Sequence, residues 1–105
     1  MFVSRAKMLE INRRYLGHEH DTDVITFQHD IPRGLPPAGL PLGDIFISAW
    51  MARLQARELG HATRLEAATL ATHGALHLLG HDDSTPRAKA RMFKIQDRIV
   101  AALRA

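Results

Sequence analysis

The run His73-Gly74-Ala75-Leu76-His77-Leu78-Leu79-Gly80-His81-Asp82-Asp83 constrains this chain more than any other stretch. Residues four apart on a helix lie about 40° apart around the axis, with Cβ atoms about 5–6 Å from each other, so His73 and His77 can bind one ion together. Gly80 is placed to end that helix, and a left-handed turn there lets the chain curl back over the helix end. A third ligand then comes from the following loop. Asp83 is the reading we favour, and His81 is its rival, since a continuous helix would align His81 with the other two histidines. Such a helix would have to run through Gly80, at a cost in helix propensity. Three protein ligands leave a coordination position for water, the arrangement of a catalytic zinc site, where the ion acidifies that water. A carboxylate among the ligands makes the site one charge less positive than three histidines would, which predicts slower turnover near neutral pH.

Two histidines four apart are common by chance, and helical histidines beside an apolar face are often only hydrogen-bonded rim residues. The helix-ending glycine followed by His81, Asp82 and Asp83 is what favours the metal. Asp82 or Asp83 could instead cap the last helix, but Thr85 is better placed. The chain has no cysteine, so disulfides are excluded and any metal site is built from His, Asp or Glu. In metalloproteases with this histidine spacing a glutamate follows the first histidine as general base. Here that position is Gly74, which argues against peptide hydrolysis.

The rest of the chain supplies elements to hold such a helix. Ser4 caps a helix predicted over residues 5–16, with Met8, Leu9, Ile11 and Tyr15 near one stripe and Gly17 closing it. Asp23 to Phe27 is β-branched and aromatic and reads as a strand. From His29 to Pro41 the chain carries four of its five prolines and reads as a surface loop. Leu42 to Ile47 is a second strand, and Ser48 opens a helix through Leu59, stopped by Gly60, with Trp50, Leu54, Ala49 and Met51 as its buried face. An alanine-rich helix runs from about Arg64 through Leu65, Ala68, Leu76 and Leu79 to Gly80, thin enough to be approached closely from most sides. Thr85-Pro86 opens a last helix with Met92, Ile95, Ile99 and Leu103 as its apolar stripe.

At 105 residues this fits one domain, residues 1–105, small enough to lean on a metal or a partner for stability. No apolar run approaches the roughly 20 residues that cross a bilayer and the N-terminus lacks a secretion-signal layout, so the expectation is a cytoplasmic protein without a membrane partner. The net charge of +3 permits nucleic-acid binding without requiring it.

The run from His73 to Gly80 resembles the YbeY family of bacterial rRNA maturation factors, described as metal-dependent endoribonucleases acting in 16S rRNA processing and ribosome quality control. Leu9 to Tyr15 with Asn12 resembles a Leu-Asn-containing helix of that family. Thr22 to Phe27 resembles its Thr-Asp-Val-Leu-Ser-Phe strand, and Leu42-Gly43-Asp44-Ile45 its Leu-Gly-Asp-Ile strand. The resemblance implies an α+β fold, a small mixed β-sheet packed by helices, with a zincin-like metal site at the end of a central helix. It implies one Zn2+ held by His73, His77 and Asp83, hydrolysis of RNA phosphodiesters, and rRNA and ribosomal components as partners. The alternatives are a ribosome- or RNA-binding factor with a structural metal, or a metallohydrolase of another substrate. Three departures stand out. Asp83 occupies the place of a family histidine, with His81-Asp82 where Tyr-Asp is usual. Leu16 stands where the family has an arginine thought to help bind RNA, leaving Arg13 and Arg14 as candidates for phosphate contacts. The family's first strand, helix and most of a second strand have no counterpart before Ser4, with only Phe2 and Val3 left of that strand; the sheet edge this exposes suits a short form, a miscalled start or an oligomer. Thr26 and Asp44 are candidates to line the cleft, Asp44 equally a strand-end turn residue.

Overall fold

A computed structural model describes residues 1–29 and 43–104. The prolines expected to form a loop lie outside the described residues, as does Leu42. Three strands, β1 (Phe2–Val3), β2 (Val24–Gln28) and β3 (Gly43–Ser48), form one sheet in the order β1-β3-β2. β1 runs parallel to β3, with Phe2 opposite Ile47, and β2 runs antiparallel to it, with Val24 opposite Ile47 and Phe27 opposite Asp44. The sheet is therefore mixed and small, as the family resemblance implied. Both β2 and β3 end one residue later than expected, β3 because Ser48 still pairs before it caps the next helix.

Side chains alternate across these strands. Ile25, Phe27 and Phe46 pack with Met8 and Ile11 of α1 (Arg5–Leu16), while Val24, Ile45 and Ile47 pack with Ala52, Leu70 and Ala71 of α2 (Ala49–Leu59) and α3 (Thr63–Leu78). Burying a side chain such as Met8 or Ile47 contributes about 1.5–3 kcal/mol. Gly17 and Gly60 end α1 and α2 in the left-handed region, and the hydroxyls of Ser4 and Ser48 accept from Lys7 and Met51 N–H. All four were legible as caps.

The buried face of α2 differs from the expected one. Ala52 and Ala56 are its fully buried residues, while Trp50 and Leu54 are half-buried. Two alanine-bearing helices approach closely there, so the small residues take the interface and the large ones are pushed to its rim. The Arg5 guanidinium covers the Trp50 ring at 4.1 Å. α3 touches α2, α4 (Pro86–Arg104), β2 and β3, which makes it the central helix. Its helical hydrogen bonding stops at Leu78 rather than Gly80, and Leu79, expected on its apolar face, is 64% exposed. The α4 stripe is covered at Met92 and half-buried at Ile95 but open at Ile99 and Leu103. No helix among the described residues is long and apolar enough to cross a membrane.

The start of α1 is tied to the loop before β2 by Arg5, whose Nε and Nη2 donate to the two Asp21 carboxylate oxygens at 3.0 and 2.9 Å. This hydrogen-bonded pairing holds the Asp21 carboxyl below its usual range. A carboxylate whose folded pKa is depressed contributes stability that is present above its unfolded pKa and lost as pH falls through the lowered folded value. In an Arg5→Leu variant we expect Asp21 to titrate at higher pH, read by NMR. The same variant loses this part of the acid-side stability. An unmoved Asp21 titration would refute the assignment.

Candidate metal centre

The end of α3 and the loop after it converge on a single point. Leu79 N–H and Gly80 N–H are held by the Ala75 and His77 carbonyls, His81 N–H by the Leu76 carbonyl at 3.0 Å, and Gly80 adopts φ 98°. This glycine-dependent reversal turns the chain back along the last turn of the helix. Asp82 then forms a tight turn, its Oδ1 accepting from Ser84 Oγ and Ser84 N–H at 2.9 and 3.2 Å, which holds its carboxyl below the ordinary range. Thr85 caps α4, its Oγ1 accepting from Ala88 N–H. With Asp82 and Thr85 so engaged, Asp83 is left facing the two histidines.

His73 Nε2 and His77 Nε2 are 3.1 Å apart, and Asp83 Oδ2 lies 3.9 and 4.0 Å from them. A triangle with these sides has a circumradius of about 2.1 Å, so one point in its plane is at zinc–nitrogen bonding distance, about 2.0–2.1 Å, from all three donors. The donors present thus fit a divalent ion. They are the cluster of this kind found among the described residues, and His81 is not part of it. Side-chain exposure is 17% for His73, 29% for His77 and 42% for Asp83, so the cluster is seated on the helix yet open on one side.

Gly74 lets α3 lie close against the sheet. A Cβ there would stand 2.9 Å from Ile45 Cγ2 and 3.2 Å from Thr26 Cγ2. A glutamate in this position, where metalloproteases carry their base, would have to enter the sheet's packed face. Thr26 is thus beneath the helix that bears the histidines. Asp44 is not: it pairs with Phe27 on the α1 side of the sheet, and its Oδ2 lies 2.8 Å from His29 Nε2. Arg13 and Arg14 sit in the last turn of α1, on that same far side. Arg14 lies 4.0 Å from Glu10 and 5.8 Å from the Tyr15 ring, and Leu16 is exposed. The fold therefore gathers His73, His77 and Asp83 and leaves the two arginines apart from them.

One residue at the centre escaped the sequence. Gln96 of α4 is 5% exposed, and its Oε1 lies 2.8 Å from His73 Nδ1. The signal was a polar residue four after Met92, on a stripe otherwise apolar. Phe93 flanks the same imidazole, ring centroids 5.7 Å apart.

A small mixed sheet carrying a central helix that ends in a His-His-Asp cluster defines an α+β scaffold with a candidate metal centre. The family model described as Endoribonuclease YbeY matches residues 1–104. A protein of Elusimicrobium minutum with that name is 39% identical over 100 residues, covering 95% of this chain and 69% of its own. One from Lysinibacillus sphaericus, of the same name, is 41% identical over 105 residues, covering 94% and 67%. A solution structure of a Thermotoga maritima protein superposes with TM-score 0.66 at 27% identity, covering 95% of this chain and 63% of that one. The chain belongs to the YbeY endoribonuclease family, whose members are known as rRNA-processing hydrolytic nucleases. It spans 57% to 69% of the length of such curated relatives.

Proposed function

We propose that residues 1–105 form one YbeY-like hydrolase domain that cleaves RNA phosphodiesters, with rRNA and ribosomal components in the cytoplasm as its partners. His73, His77 and Asp83 hold the ion, and zinc suits their two nitrogens and one oxygen. The observation that carries this reading is the triangle of 3.1, 3.9 and 4.0 Å, with Nε2 of both imidazoles turned inward and one side open. A structural site would be closed by a fourth side chain. A divalent ion bound there supplies Lewis-acid chemistry, polarising a phosphoryl oxygen and acidifying water. The two histidines orient neutral donors, and Asp83 offsets one unit of the ion's charge. Arg13 and Arg14, across the sheet, would serve phosphates of an RNA strand that extends beyond the cleavage point.

The test is cleavage of single-stranded RNA and of 16S rRNA by the purified protein, before and after a chelator and again after zinc is restored. Loss and recovery of cleavage are expected. Cleavage indifferent to the chelator, or persisting in His73→Ala, would overturn the proposal.

A further inference from the structure

His73 has two ring nitrogens, and a metal needs the lone pair of the one that faces it. Nε2 faces His77 and Asp83, while Nδ1 faces Gln96 Oε1 at 2.8 Å. An amide oxygen only accepts, so this contact requires a hydrogen on Nδ1 and leaves Nε2 with its lone pair directed at the cluster. The reversed amide would donate to Nδ1 and force the ring hydrogen onto Nε2, where it would point into the cation's place. Only one of the two arrangements is compatible with a metal. We propose that Gln96 is a positioning residue that fixes His73 in the Nδ1–H tautomer and aims Nε2 at the ion, an inference that rests on the metal reading above.

The placement of Gln96 supports this role. It is buried, so water does not compete for its amide, and Met92, fully buried one turn earlier, anchors that stretch of α4 on α3. Phe93 packs beside the His73 ring and restricts its rotation. His73 is the least exposed of the three donors. A neutral acceptor orients the imidazole without adding a second negative charge beside Asp83. Supporting hydrogen bonds of this kind typically change metal affinity about 10–100-fold when removed.

The experiment compares wild type, Gln96→Leu and Gln96→Glu. In the metal-free proteins, 15N NMR of the imidazoles reads the His73 tautomer, and zinc titration against a competing chelator reads affinity. We expect wild type to hold the Nδ1–H form. Gln96→Leu should shift the ring toward Nε2–H and bind zinc about 10–100-fold more weakly. Gln96→Glu keeps an acceptor and restores both. Retention of the tautomer and of zinc affinity by folded Gln96→Leu would overturn the inference while leaving the metal reading in place. A wild-type protein that takes up no zinc would overturn the metal reading and this inference with it. A Gln96→Glu protein as impaired as Gln96→Leu would show that packing, not the accepting oxygen, is what matters, and would also overturn it.

Discussion

His77→Ala is expected to take the protein from one bound zinc per chain to none and to lower metal-dependent RNA cleavage by more than the about 100-fold that loss of a merely supporting hydrogen bond can cause. The change removes a donor 3.1 Å from His73 Nε2 and leaves two ligands where an ion needs at least three. It does not attack the fold. The His77 side chain is 29% exposed, and alanine is the better helix former, so the metal-free variant should melt close to the metal-free wild type. Metal content by mass spectrometry beside a circular dichroism melt separates the two effects. Asp83→Ala should also lose the ion, whereas His81→Ala should keep it. Full zinc content in Asp83→Ala together with loss in His81→Ala would reassign the third ligand.

Gly43→Ala should cost about 3 kcal/mol of stability, corresponding to a drop in melting temperature of about 10–20 °C. A Cβ at position 43 would run into the carbonyl oxygen of Phe27 and stand 2.7 Å from Leu78 Cδ2. The carbonyl cannot yield without disturbing the pairing of β2 with β3, where Gln28 lies opposite Gly43. Leu78 Cδ2, the end of a flexible side chain, can move aside more cheaply, so the carbonyl carries most of the cost. A displaced Leu78, next to His77 at the end of α3, should pass part of the disturbance to the candidate metal centre, with weaker zinc binding accompanying the lower melt. A thermal denaturation curve that superposed on wild type would show that the strand tolerates a side chain here.

Much of this was readable in the chain because it is encoded locally. Ser4 with Gly17 and Ser48 with Gly60 announce α1 and α2 through hydroxyl caps and left-handed glycines, and Gly80 announces the reversal. The convergence of His73, His77 and Asp83 was visible for the same reason, since the three lie within eleven consecutive residues. What was not readable depends on distant partners. That Ala52 and Ala56 rather than Trp50 fill the α2 interface follows from the close approach of α3. The placing of Asp44 and the two arginines across the sheet from the histidines follows from strand register, in which one step reverses the face. Gln96 acquires its meaning only when α4 folds back over His73, 23 residues earlier.

The reversal at Gly80 also bears on how an ion comes and goes. The entropy of closing a loop grows only with the logarithm of its length, and the segment joining His77 to Asp83 is short and already bent back by its own backbone hydrogen bonds. Capture therefore demands little ordering of the chain, and release need not loosen the sheet or the helices beneath. An ion held by His73, His77 and Asp83 would thus exchange with the surroundings while the scaffold stays folded, and its occupancy would follow the supply of free metal rather than the history of folding.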